Sequence, residues 1–366
     1  MNSHVIATSG YHQPLVRTGY EQLLAQRTTD MFAYAAEEDG IVTSISDKGI
    51  IVKYKNNETK GVILGRRYGS AEGSTYPHDI ATNLKVNEKF TKGDIIAYNT
   101  GFFETDILNP KNVVWKTSMM VKTVLYEGNQ THEDASSISE RVSNKLTAKT
   151  TKVRSIVVNF EQSIRNALKA GTKVLPKDYL CIIEDEVTSG ANMLDESTLD
   201  ALKRFSNNAP KSKYKGTLDK IEVLYHGDKS DMSPSIKQLA DQSDRFMLES
   251  SKAIGIKGHT GEVNSDYRVA GTPLALDTAE IKFYITIETA NGVGDKLIYA
   301  NQLKSVTGEV LDHSMTTESG EEIDCVFGYR SILARIVSSP IIIGTTATLL
   351  SLVSKKALDI YNGKGK

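Results

Sequence analysis

The run Ile281-Lys282-Phe283-Tyr284-Ile285-Thr286-Ile287-Glu288 alternates apolar and more polar side chains without a break. A period of two sends successive side chains to opposite faces, so the pattern predicts a half-buried β-strand with Ile281, Phe283, Ile285 and Ile287 turned to one core. Directly after it, Asn291-Gly292-Val293-Gly294 has the composition of a turn and leads into Asp295-Lys296-Leu297. The chain reads as β-rich here, with Lys296 placed where a strand has just turned.

Upstream, Ile41-Val42-Thr43-Ser44-Ile45 and Ile50-Ile51-Val52-Lys53-Tyr54 flank Asp47-Lys48-Gly49, which predicts a hairpin about a glycine-bearing turn. Shorter strands are expected at 61–64, 94–98 and 119–126, so the first 126 residues read as mostly β. From Lys152 the pattern changes: a strand at 153–160 opens a stretch that mixes strands with helices and carries many Lys, Asp and Ser, like a separate lobe. In it, Leu199, Leu202 and Phe205 have helical spacing over 198–205, with Asp195 or Ser197 as a cap. Ile236, Leu239, Ala240, Phe246, Met247 and Ile254 mark a second, longer helix. Toward the end, Ile323-Asp324-Cys325-Val326-Phe327 is β-like and a helix is expected over about 341–360.

Length and composition bound the function. A chain of 366 residues with 39% hydrophobic and 24% charged residues is of globular type and about two domains long. Lys+Arg 44 against Asp+Glu 45 excludes a histone-like coating role, so any contact with nucleic acid must come from locally clustered charge. Cys181 and Cys325 form no Cys/His pattern, which argues against a zinc ribbon or a disulfide scaffold and for a reducing cytosol. The first residues lack a basic and then apolar signal segment. The most apolar stretch, 340–353, reads as too short and too rich in Ser and Thr to span a bilayer.

GxxxxGK[ST], GxSxG, HExxH and DxDxD are all absent, and none of the seven His sits at metal-ligand spacing. The acidic run Glu184-Asp185-Glu186 reads as a solvated loop or strand end. Glu133-Asp134 follows a Gly/Asn turn and precedes a helix-like stretch, a position that suits a helix cap as well as a site. Lys296 and Lys304 could converge on a phosphate chain, but a spacing of eight has no meaning by itself.

The order of these pieces resembles the C-terminal half of the β subunit of multisubunit RNA polymerases, over nearly the whole chain. Pro14-Leu15-Val16-Arg17-Thr18-Gly19-Tyr20-Glu21 resembles that family's Pro-x-Val-x-Thr-Gly-x-Glu. Glu133-Asp134-Ala135-Ser136-Ser137-Ile138-Ser139-Glu140-Arg141-Val142 resembles its Glu-Asp-Ser-x-x-x-Ser-Glu-Arg-Val. Gly294-Asp295-Lys296 matches its Gly-Asp-Lys, and Lys304 falls at the spacing of its second lysine. The stretch from Gly320 through Ile323-Asp324 to Ser331 and Ala334-Arg335 is similar more loosely. Where the family has His-Gly-Asn-Lys-Gly, this chain has Asn301-Gln302-Leu303-Lys304-Ser305, which leaves the loop geometry open and keeps the charge. The chain starts where the family's rifampicin-pocket region ends and stops before its Gly-Gln-Arg-Phe-Gly segment, as expected of the split β subunits of large-genome bacteriophages.

The resemblance implies an α+β, β-rich fold: a double-psi β-barrel core, an inserted mixed α/β flap-like lobe and a C-terminal helix. It implies four segments: 1–36 near the RNA/DNA hybrid, 37–150 as the first part of the barrel, 151–265 as the lobe, and 266–366 as the second part. Lys296, Lys304 and Arg335 would be catalytic, facing the RNA 3′ end and the nucleotide phosphates, where preorganised cations stabilise developing charge. Glu133 and Asp134 would lie near the second metal and the nucleotide's path. Arg17 would face backbone phosphates or be an ordinary surface charge. Mg2+ would be held mainly by a β′-like chain carrying the Asp triad. Other implied partners are further β fragments, template DNA, nascent RNA and nucleoside triphosphates, with a promoter-specificity factor on the 236–254 helix unless that helix only packs on its own lobe. No membrane is implied; the setting is the cytoplasm of an infected host cell, or the virion. The alternative is a non-catalytic structural or nucleic-acid-binding subunit descended from the same fold.

Overall fold

The computed structural model describes residues 6–14, 17–71, 73–107, 109–185, 209–300, 302–335 and 337–364. The helix expected over 198–205 lies outside the described residues. Strands make up 39% of the structure and helices 19%, a β-rich α+β fold with a C-terminal helix. The chain divides into two compact units, and it passes between them more than once. Unit 1 takes residues 33–99 and 149–288; unit 2 takes 6–32, 100–148 and 289–366. No sheet closes into a barrel among the described residues.

In unit 1 the expected hairpin forms from Gly40–Ile45 and Gly49–Tyr54, and Thr59–Ile63 extends it on one side. Ser46 shapes the turn, its hydroxyl accepting from the backbone N–H of both Lys48 and Gly49. Val42, Ile50 and Val52 are fully buried beneath this sheet, with Phe90 and Ile96.

The alternating run lies in Thr278–Thr289, paired antiparallel with Gly216–His226. Ile281, Phe283 and Ile285 are buried as expected, whereas Ile287 is only half-buried, and Thr286 of the alternate face is buried too. The departure has a local cause. A register shift at Leu218/Lys220 in the partner strand breaks the ladder opposite this end, and a bulge of this kind re-aims side chains. Thr286 Oγ1 then donates to Asp219 Oδ2 at 2.5 Å and shares a hydrogen bond with Thr151 Oγ1 at 2.8 Å.

The longer helix of the lobe runs Pro234–Ala253, with proline in its first turn, where a missing N–H costs nothing. It packs through Ile236 and Ala240, while Phe246 and Leu248 are exposed. Gly49 and Gly61 lie directly under its C-terminal end at Ala253 and Ile254, where a β-carbon would overlap backbone atoms.

Unit 2 is built on an open five-stranded sheet of β1 (Thr123–Leu125), β2 (Ala135–Ser139), β3 (Lys296–Tyr299), β4 (Leu303–Leu311) and β5 (Cys325–Phe327). The spatial order is β1-β5-β2-β4-β3, with β1/β5 and β2/β4 parallel and β5/β2 and β4/β3 antiparallel. Ile138, Val142 and Cys325 form one buried cluster; Leu303, Phe327 and Ile332 form another. Ser139 caps the helix Glu140–Lys145 by accepting from the Val142 N–H, and Arg141 pairs with Asp324. The Ser-Glu-Arg-Val stretch thus supplies a helix cap, an ion pair and a core contact within four consecutive residues. The helix expected over 341–360 runs Ser339–Tyr361, 23 residues. The apolar stretch is therefore part of a longer helix than 340–353 suggests. By length and composition alone, it is the one helix among the described residues that could cross a membrane.

Both cysteines are buried free thiols, and burial pushes each up to about 12, so neither is a nucleophile near neutral pH.

Candidate functional site

Lys296 and Lys304 stand on the two strands of one hairpin. In its register Lys296 faces Val306 and Ile298 faces Lys304, so the lysines are diagonal neighbours on one face. Such diagonal positions are about 7–8 Å apart, within the span of one phosphate chain between two long side chains. That face is the exposed one: Lys296, Ile298, Lys304 and Val306 look outward, while Leu303 and Ser305 are buried behind them. Neither lysine makes an ion pair among the described residues.

The other edge of β4 brings in the acidic pair. β2 runs parallel to β4 with Ala135 beside Val306, and the Val306 N–H donates to the Asp134 carbonyl at 2.8 Å. Glu133 and Asp134 therefore sit next to the residue that faces Lys296. Both have left-handed backbone, φ 31° for Glu133 and 54° for Asp134. Such residues are costly and persist only when their surroundings over-determine them, as they do at many functional sites.

The surroundings come from the segment after β5. Ser331 is buried, and its Oγ accepts from the Asp134 N–H at 2.7 Å. One turn on, Arg335 donates from Nη1 to the Ser331 carbonyl at 2.9 Å and from Nη2 to Asp134 Oδ2 at 2.7 Å. The hydrogen bond from Arg335 holds the Asp134 carboxyl below the usual carboxylate range, and the same pairing raises the guanidinium with some help from Glu133. Asp134 Oδ1 is buried without a donor, an acceptor left open beside the oxygen that Arg335 holds. The turn before β2 is clamped as well: the Arg330 N–H donates to Glu127 Oε2, and a β-carbon on Gly328 would overlap the Thr131 carbonyl.

Lys296 and Lys304 thus lie on the exposed face of the β3-β4 hairpin, whereas Asp134, Ser331 and Arg335 form a separate hydrogen-bonded group at the start of β2, with Glu133 exposed beside Arg335; Ile332, next to Ser331, packs with Leu303 and Phe327 on the face behind the lysines. Arg17 does not join them. Its Nη1 donates to Asp106 Oδ1 at 2.8 Å, its side chain is 14% exposed, and Gln22 donates to the other Asp106 oxygen. Its guanidinium ties the N-terminal segment to a buried carboxylate. Ser331, whose hydroxyl accepts from the Asp134 N–H, was named in the sequence only as part of the loosely similar stretch ending at Arg335 and was given no role there.

The arrangement can bind a phosphate chain and hold a guanidinium in a fixed pose. No group of three or more His, Cys, Asp or Glu able to hold a metal ion occurs among the described residues. An open cavity of about 730 Å3 in unit 1, lined in part by Leu168, Leu239 and Phe246, contains none of these residues. Compared with protein-family models and with curated proteins, the chain finds no match.

Proposed function

We propose that this chain is a β-subunit fragment of a bacteriophage multisubunit DNA-dependent RNA polymerase, supplying the β side of the active centre as part of a double-psi β-barrel. One observation carries the reading. The residues that the motif order singles out come from three separate stretches of sequence; Asp134 and Arg335, 201 positions apart, are hydrogen-bonded at 2.7 Å, and Lys296 and Lys304 share the exposed face of the neighbouring hairpin. A chain that merely shared short motifs with the family would have no reason to hydrogen-bond Asp134 to Arg335 or to set the two lysines on one face.

In this reading Lys296 and Lys304 lie along the triphosphate and the RNA 3′ end. Nucleotidyl transfer builds negative charge on phosphoryl oxygens, and two fixed ammonium groups stabilise that charge without reorganising. Arg335 presents a planar fork to phosphate oxygens, and Asp134 keeps that fork oriented between turnovers. Glu133 and the open oxygen of Asp134 accept from water or from the nucleotide. Mg2+ is supplied by the Asp triad of a β′-like partner chain. The lobe in unit 1 corresponds to the flap, with Phe246 and Leu248 exposed on its helix toward a promoter-specificity factor.

The test is to purify the assembly through a tag on this chain from infected cells and identify its members by mass. The reading expects a chain with a metal-binding Asp triad, chains supplying the rest of β, and template-directed RNA synthesis by the assembly. An assembly with no such chain and no RNA synthesis would overturn it.

A further inference from the structure

The strand Gly216–His226 of unit 1 has one long neighbour, Thr278–Thr289. On its other side stands the two-residue strand Lys173–Val174, which meets it at Gly216 and Thr217. In an antiparallel ladder, successive residues turn their backbone N–H and C=O alternately toward the neighbour and away from it. Past the register shift, Ile221, Val223 and Tyr225 turn theirs away: the Val223 N–H donates to Ser243 Oγ at 3.0 Å, and the Tyr225 N–H to the Gly261 carbonyl at 2.9 Å. The chain closes most of this outer edge itself. The Leu218 carbonyl accepts from the Gly171 N–H, and the Leu218 N–H donates to the Thr172 carbonyl. Gly261 lies so close to the Val223 carbonyl that a β-carbon there would overlap it, and the Val263 N–H donates to the Tyr225 carbonyl. Between these covers, Ile221 turns an N–H and a C=O outward with no partner among the described residues.

That gap opens into the cavity of about 730 Å3, a size that suits a small bound group. Ile164 and Leu168 line it together with Leu239 and Phe246 of the helix Pro234–Ala253. Gln238 and Gln242, exposed and one helical turn apart, bring two side-chain amides to it.

The gap selects its occupant. A donor and an acceptor on one extended residue are matched by one extended residue of an antiparallel segment, which returns both bonds. Register then assigns the side chains, because directly opposite residues share a face. The residue opposite Ile221 lies on the face where Ile221 packs against the apolar cluster of unit 1. The residue before it faces Glu222 and the one after it faces Lys220, both part-buried and joined to each other at 2.9 Å. Charge complementarity therefore asks for the order basic, apolar, acidic. Lys220-Ile221-Glu222 itself has that order. A second copy is excluded all the same: pairing Ile221 with Ile221 puts the copy's Leu224 opposite Leu218, where Gly171 and Thr172 already stand.

We propose that this groove binds a short extended segment of another protein, of the order basic, apolar, acidic, as a three-residue strand on Ile221. The proposal stands apart from the polymerase reading and from every residue of the unit 2 site.

The test titrates the full chain, labelled with 15N-isoleucine, with the peptide acetyl-Ser-Lys-Leu-Glu-Ser-amide up to millimolar concentration and follows the Ile221 amide by NMR. At saturation that amide should shift, and its hydrogen exchange should slow about tenfold or more as the N–H gains an acceptor. An N-methyl group on the peptide's leucine removes the donor meant for the Ile221 carbonyl and should weaken binding about tenfold or more. The peptide with Lys and Glu exchanged should bind about threefold or more weakly than the first. Both changes are made in the peptide, so neither can act through misfolding of the chain. No shift of Ile221 at millimolar peptide, shifts confined to other isoleucines, or equal binding of the N-methylated peptide would each overturn the proposal. So would uridine, which carries a donor and acceptors without an extended backbone, if it shifted the Ile221 amide at lower concentration than the peptide.

Discussion

Arg335 donates to Asp134 Oδ2 at 2.7 Å, joining residues 201 positions apart at the end of a strand whose first residue pairs with Val306. The pair is nearly half exposed on both sides and screened by water, so its contribution to stability is small. Its value is orientation. Arg335→Ala and Asp134→Ala should each leave the thermal midpoint of the chain nearly unchanged and each slow nucleotide addition in the assembly. The double variant should be no slower than the worse single one, because both remove the same positioned guanidinium. Additive losses in a double-mutant cycle would separate the two roles.

The same hydrogen bond sets a pH dependence. Asp134 is depressed from its ordinary 3.8 in the folded chain, so the unfolded chain binds its proton more readily. The stabilisation is present above the ordinary carboxylate range and is lost as pH falls through the lower folded value. Carboxyl titration by NMR should find the Asp134 midpoint below that in Arg335→Ala. Identical midpoints would mean that the pair does not persist in solution.

Close backbone approaches make two glycines intolerant of a β-carbon. Gly61→Ala would drive its methyl into the Ile254 backbone and should lower the stability of unit 1 by about 1–3 kcal/mol in urea unfolding. Gly328→Ala would press on the Thr131 carbonyl and shift the loop bearing Ser331 and Arg335. It should cut nucleotide addition while Gly61→Ala at permissive temperature does not.

How much of this was legible in the sequence depends on whether a local pattern carried the information. The 41–54 hairpin and the burial of Ile281, Phe283 and Ile285 follow from alternation, and the C-terminal helix from a sustained apolar run. The Gly65–Ala71 and Ser74–Ala81 pair was not legible: its residues are mostly polar or small and, apart from the buried Ile80, none of the Ser74–Ala81 strand is more than half-buried, so no period of two stands out. The strand expected at 119–126 shrinks to Thr123–Leu125, because the segment before it runs along the unit without a ladder. At the site, the lysines share a face because the turn pairs Lys296 with Val306, an even offset from Lys304. A spacing of eight could not reveal that register. The meeting of Asp134 with Arg335 depends on the antiparallel pairing of β2 with the distant β5, which no local pattern encodes.

If Lys296 and Lys304 act together on the nucleotide phosphates, each must speed the chemical step itself. That is read from the rate of single-nucleotide addition on a primed RNA–DNA scaffold by the assembled complex carrying Lys296→Ala or Lys304→Ala. Both lysines are exposed and unpaired by any carboxylate among the described residues, so neither change should disturb folding or assembly. The expected result is a loss of about 10²–10³-fold for each, with promoter-DNA binding retained. Unchanged addition rates in both variants would contradict a catalytic role for the pair.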